Sequence, residues 1–166
     1  TLVRRGFEIT EHNGLDGVDT DRLSCLVSQS FGRTLSPDYY ARREVKRVFV
    51  AGEYAAAAVV TDGGPAAYLD KFAVTSEARG QGLAGSLWRR IIASEPALYW
   101  RSRAGNEINP WYTSRADGMH RSGEWVVYWR GMSYAGEIAR CVHDALALED
   151  SFEPTITIRK ESAVAV

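Results

Sequence analysis

The sequence predicts one α/β domain (in the α+β sense, strands and helices around a mixed central sheet), and three observations carry that prediction. Runs of aromatic and β-branched residues alternate with segments of helical spacing, so strands and helices interleave along the chain. A length of 166 residues suits one domain with a sizeable core. At the centre, residues 68–74 read as a strand and residues 82–93 as a helix with Leu83, Leu87, Trp88, Ile91 and Ile92 on one face. A loop of small residues joins the two.

Taken in order, residues 2–10 form the first predicted strand, ended by the Asn13-Gly14 and Asp16-Gly17 turn signals. A helix follows from Asp19 or Thr20, either of which can cap it, with Leu23, Leu26, Val27 and Phe31 on its apolar stripe. Ser36-Pro37 opens a short second helix through Tyr39, Tyr40 and Arg43. Residues 45–51 and 54–61 pair as a hairpin about Gly52. Beyond the central strand and helix, residues 98–103 form a further strand, and Asn109-Pro110 starts a short helix bearing Trp111 and Tyr112. Gly118 and Gly123 bracket a polar loop, residues 124–130 form an aromatic-rich strand, and residues 133–148 form a helix. Residues 1–150 make up the domain and 151–166 a C-terminal tail.

Acids and bases nearly cancel, at a formal charge of −1, so bulk charge gives no reason to expect a nucleic-acid partner. Arg42-Arg43 and Arg89-Arg90 read as solvated helix faces. The longest apolar run, residues 54–60, is too short to span a bilayer, and no membrane partner is expected. Cys25 and Cys141 lie in helical patterns without metal-ligand spacing, which predicts buried thiols in a reducing compartment. The expectation is a cytoplasmic domain belonging to something longer, without a metal.

The central loop holds the first chemical signal. A strand, a small-residue loop and a helix start can bind a phosphate, because free N–H groups and the macrodipole favour an anion and glycines permit close approach. The run Arg79-Gly80-Gln81-Gly82-Leu83-Ala84 lacks the Lys-Ser/Thr ending of a P-loop, and no acid follows at dinucleotide-fold spacing. The pattern Arg-x-x-Gly-x-Ala on this turn resembles the pyrophosphate loop of the GNAT superfamily of N-acetyltransferases. That resemblance implies a mixed sheet with a splayed central strand, and acetyl-CoA as cosubstrate. Phe72, Ala73 and Val74 would meet the acetyl and pantetheine end, and Arg79, Gly80, Gln81, Gly82, Ala84 and Gly85 the pyrophosphate.

Two further stretches narrow the likeness. Tyr68-Leu69-Asp70-Lys71-Phe72-Ala73-Val74, and Trp100-Arg101-Ser102-Arg103 followed by Asn106 and Asn109-Pro110-Trp111-Tyr112, resemble the acetyltransferase domain of vertebrate-type and bifunctional N-acetylglutamate synthase/kinases. The implied reaction transfers acetyl to the α-amine of L-glutamate, a step of arginine biosynthesis. A preceding amino-acid kinase domain is implied as fusion partner, and a homo-oligomer is compatible with it.

Glutamate brings two carboxylates and an amine, so its site needs cations. Arg101 and Arg103 alternate along a strand and share a face, and Lys71 on the neighbouring strand can face the same cleft. The resemblance implies that Lys71 and an arginine of this pair hold carboxylates; Asn106 is placed to hydrogen-bond substrate or a neighbouring loop, and is a candidate for both substrate binding and catalysis. Tyr112 is the candidate acid: the departing CoA thiolate has a conjugate acid near ~8.5, and a tyrosine near ~10 can donate to it. No His–acid pair stands near these motifs, His120 and His143 read as solvated, and Asp70 falls on the opposite face of an ideal strand from Lys71. A water chain is therefore the expected base, and direct attack is simpler than an acyl-enzyme. Two other readings are kept: the same fold acting on another acidic amino acid or a protein amine, and an acyl-CoA-binding regulatory module of an attached kinase.

Overall fold

The computed structural model describes residues 6–154. In chain order the elements are β1 (Ile9–Asn13), α1 (Thr20–Phe31), α2 (Tyr39–Arg42), β2 (Val45–Ala51), β3 (Ala56–Asp62), β4 (Ala67–Val74), α3 (Leu83–Ser94), β5 (Leu98–Arg103), α4 (Asn109–Arg115), β6 (Gly118–Ser122), β7 (Trp125–Arg130) and α5 (Ala135–Ala147). The strands form one sheet in the order β1-β2-β3-β4-β5-β7-β6. It is mixed as predicted: β4 and β5 run parallel, joined by the α3 crossover, and the other neighbours run antiparallel.

Alternation along the strands divides the core between the two faces. Phe49, Ala58, Leu69, Phe72, Leu98 and Trp100 point to the face covered by α3 and α4. Val48, Val50, Ala57, Val59 and Ala73 point to α1 and α2, whose Leu23, Leu26, Val27 and Tyr39 meet them. Tyr68, Tyr99 and Val127 meet Cys141 and Ala145 of α5. The Asp19 side chain caps α1 by accepting the Arg22 N–H at 3.1 Å, and Gly32 ends the helix in the left-handed region.

Several expectations are corrected. Residues 2–5 lie outside the described residues, and β1 extends past Thr10 to Asn13 because β2 supplies partners as far as Asn13↔Arg47. The expected polar loop between Gly118 and Gly123 is strand β6, an exposed edge paired with β7, and His120 sits on it. Cys25 is exposed, since it falls off the Leu23, Leu26, Val27 stripe of α1, whereas Cys141 is buried. Within the expected tail, Ser36 N–H donates to Ser151 O at 2.9 Å and Glu153 N–H to Thr34 O at 2.8 Å, so residues 151–153 lie against the segment after α1. Residues 155–166 lie outside the described residues.

Candidate active site

Strands β4 and β5 pair only at Ala67↔Leu98 and Tyr68↔Tyr99. Beyond that point β4 stays paired with β3 as far as Val74, and β5 with β7 as far as Arg103. The two strands therefore part in the middle of the sheet. The β4 edge carrying Phe72, Ala73 and Val74 faces the gap with main-chain groups that have no strand partner there.

The loop at the open end of β4 is shaped by two glycines in the left-handed region, Gly80 at φ 83° and Gly82 at φ 73°. A Cβ on either would meet no atom within 4 Å, so both border open space. Thr75 O takes the Ala78 and Arg79 N–H groups and Ala78 O takes Gln81 N–H. Among the described residues, no backbone acceptor meets the N–H groups of Gly80, Gly82, Leu83, Ala84 or Gly85. Five amides without a backbone acceptor at a helix start can receive an anion such as a phosphate. Arg79 and Gln81 are exposed beside it.

On the α1 and α5 side of the gap, a β-bulge changes which residues stand together. Val59 pairs with Lys71 and Val60 with Leu69, which leaves Asp70 as the extra residue. Leu69 and Phe72 keep the α3 face, while Asp70 and Lys71 share the other. The expectation that Asp70 points away from Lys71 is thereby overturned. Lys71 Nζ donates to Asp70 Oδ1 at 2.8 Å and to Asp70 O at 3.1 Å, and lies 5.2 Å from the ring centres of both Tyr39 and Phe152. Arg43 Nε donates to Asp70 Oδ2 at 3.0 Å. Burial pulls the Lys71 pKa below its ordinary value, and Asp70 offsets part of that. Burial alone would raise Asp70, but Lys71 and Arg43 outweigh it and hold the carboxyl below its ordinary value.

Arg101 lies near enough to depress the Lys71 pKa by like charge, after Arg43. Its Nη1 donates to Ala145 O at 2.9 Å and Leu148 O at 2.8 Å, and its Nη2 to Glu149 O at 3.4 Å, so it holds the C-terminal end of α5. Arg103 is more exposed and pairs with Glu124 at 2.9 Å. Both guanidiniums stack on Trp125, at 3.9 Å and 4.1 Å from its ring centre. An open cavity of about 330 Å³ adjoins this group, lined among others by Arg43, Tyr68, Tyr99, Ala145 and Leu148.

Tyr112 lies on the opposite face, in an aromatic cluster with Phe72, Trp100 and Tyr128 at centroid distances of 6.4, 5.6 and 5.7 Å. Its hydroxyl makes no hydrogen bond among the described residues, and burial, then Tyr128, pushes its pKa far up. Phe72 thus links the β4 edge to Tyr112. Asn106 is exposed; its Oδ1 accepts the Ile108 N–H at 3.3 Å in a turn leading into α4, and its amide nitrogen has no partner among the described residues. Asn109 falls inside α4 and donates to Arg103 O at 2.8 Å. Sequence reasoning missed Arg43, Asp70, Tyr39 and Phe152 in this neighbourhood. Arg43 follows α2 with a side chain only 11% exposed, not a solvated face, and only its long-range pairing reveals it.

Comparison with known proteins follows the same lines. The family model of NAT, the N-acetyltransferase of N-acetylglutamate synthase, matches residues 10–147. A Xanthomonas campestris protein named acetylglutamate kinase is 40% identical over 147 residues, 86% of this chain and 34% of that protein. The mitochondrial N-acetylglutamate synthase of Danio rerio is 40% identical over 159 residues, 92% of this chain and 30% of that protein. The chain thus spans about a third of the length of these curated relatives. The ribosomal-protein-S18-alanine N-acetyltransferase of Escherichia coli shares the fold at a TM-score of 0.57 and 19% identity, covering 77% of this chain and 97% of that one. The splayed GNAT sheet and a match over most of the chain agree: this chain belongs to the N-acetyltransferase domain family of N-acetylglutamate synthase.

Proposed function

We propose that this domain transfers acetyl from acetyl-CoA to the α-amine of L-glutamate. The observation that carries the reading is the gap between β4 and β5, which joins two chemically distinct halves. On one side five free amides suit a pyrophosphate, and on the other Lys71, Arg43 and Arg101 gather around a single paired carboxylate, Asp70. A dicarboxylate amine suits the cationic half, and family membership supports glutamate within that class.

In this reading the exposed β4 edge near Phe72, Ala73 and Val74 holds the pantetheine and polarises the thioester carbonyl through main-chain donors. The glutamate amine, having lost a proton to water, attacks the thioester carbon. The C–S bond then breaks, the Tyr112 hydroxyl gives its proton to the leaving thiolate, and the proton that the nitrogen sheds as the amide forms returns through water to Tyr112. Burial keeps the Tyr112 hydroxyl protonated but also makes it a weaker acid, so the transfer depends on the thiolate forming within hydrogen-bond reach of it. Lys71 and Arg101 take the two carboxylates. Arg101 now donates to neutral carbonyls, and a substrate carboxylate brings an opposite charge and a matching pair of acceptors to the same guanidinium, so it can compete for those donors. Asn106 offers its free amide donors to the same substrate. The domain is read as part of a longer cytoplasmic polypeptide with an amino-acid kinase portion, and the Danio rerio relative is itself named mitochondrial.

The test is release of CoA thiol from acetyl-CoA across free amino acids. Glutamate is expected to turn over well above aspartate or lysine. Equal rates with all three would overturn the assignment.

A further inference from the structure

We propose that Asp70 is a positioning residue for this reaction: its carboxylate holds the Lys71 ammonium at the acceptor side of the gap, and Arg43 holds Asp70 in turn. The proposal rests on the reading that Lys71 meets an acceptor carboxylate. The bulge at Asp70 is what makes the arrangement available, since an unbroken strand would place adjacent side chains on opposite faces. The three side chains are 3% exposed for Asp70, 6% for Lys71 and 11% for Arg43. Asp70 divides its two oxygens, one to Lys71 at 2.8 Å and one to Arg43 at 3.0 Å.

A buried ammonium without an anionic partner gives up its proton. Among the described residues Asp70 is the one carboxylate within ion-pairing distance of Lys71. The other groups facing Lys71 do not supply a negative charge. Arg43, beyond α2, and Arg101, on β5, are like charges, while Tyr39 of α2 and Phe152 of the C-terminal segment offer ring faces. Tyr68, on the same strand, lies close to Asp70, and Asp150 acts on Arg101. Two of the three Lys71 N–H groups go to Asp70, which aims the third. Asp70 and Lys71 together are neutral, and Arg43 adds the net positive charge that an incoming carboxylate meets.

The chain has three lysines, Lys46, Lys71 and Lys160, so the Lys71 ammonium can be followed directly by NMR of carbon-13-labelled lysine, assigned with Lys71→Arg. In Asp70→Asn the Lys71 titration midpoint should fall by about one pH unit or more. The glutamate KM should then climb at a lower pH than in wild type, as the ammonium is lost earlier, while the acetyl-CoA KM stays put. In Arg43→Gln a like charge is removed and the midpoint should rise. A general loss of structure would not move the two variants in opposite directions. A midpoint in Asp70→Asn equal to wild type, or a fall in both variants, overturns the proposal. Should Asp70→Asn fail to fold, a midpoint in Arg43→Gln at or below the wild-type value overturns it alone. Opposite shifts combined with an unaltered glutamate KM in Lys71→Ala would instead overturn the acceptor reading, and with it the role of the clamp in the reaction.

Discussion

Replacing Tyr112 with phenylalanine separates chemistry from packing, because it removes the hydroxyl proposed as the acid and keeps the ring. The ring fills the cluster with Phe72, Trp100 and Tyr128, and phenylalanine keeps those contacts. The hydroxyl makes no hydrogen bond among the described residues, so its removal leaves no orphaned partner and should shift stability by no more than about 0.5 kcal/mol. A general acid typically contributes about 10²–10⁴-fold, which at about 1.4 kcal/mol per tenfold amounts to about 3–5 kcal/mol of barrier. Thiol release at saturating acetyl-CoA and glutamate should therefore fall by about a hundredfold or more, with kcat and kcat/KM falling together. The pH sign follows from burial. With its pKa raised above 10.0, the hydroxyl stays protonated through pH 10, so the alkaline fall in wild-type kcat should begin above that and be absent in the variant. A kcat within threefold of wild type, or a loss matched by a lowered melting temperature, would reduce Tyr112 to a core residue.

Further outcomes test the two halves of the site. Gly80→Val and Gly82→Val must enter the left-handed region, at about 1–2 kcal/mol each, and project into the open space at the anion cradle. The acetyl-CoA KM should rise well ahead of the glutamate KM; parallel rises would mean the loop only shapes the fold. Arg101→Met removes the donors to Ala145, Leu148 and Glu149 carbonyls, so calorimetry should show a loss of about 2 kcal/mol alongside a raised glutamate KM. An unchanged melting temperature would sink the anchoring role. In acid, Asp70 has a folded pKa below its ordinary 3.8, so its contribution is in full force above that value and disappears as pH falls through the folded one. Denaturant midpoints followed from pH 5 to 2 should drop less steeply at the low end in Asp70→Asn than in wild type, and equal slopes would refute the assignment.

The limits of what could be read from the chain fall at particular residues. Strand β5 and the start of α1 were legible because local chemistry sets them: an aromatic and apolar run for Leu98–Arg103, and a capping carboxylate at Asp19 ahead of the Leu23, Leu26, Val27 stripe. Strand β6 was not, since Gly118–Ser122 is almost wholly exposed and owes its extended state to β7, so no alternation marks it. The loop glycines and Lys71 stood out from pattern as candidates, but their surroundings did not. Arg43 looked like one half of a solvated Arg-Arg pair, and nothing within four residues of it says that Asp70 waits 27 positions later. Asp70 itself was misassigned by a sound rule, period two along a strand, broken by a single residue. A bulge is decided by how β3 pairs with β4, a long-range fact with no local signature here. That one extra residue lets two neighbours share a face, whereas strict alternation would leave either Asp70 or Lys71 on the face of Trp88 and Trp100. Either would there be a buried charge among aromatic rings, parted from the other. Side by side they form the ion pair on which a buried lysine depends.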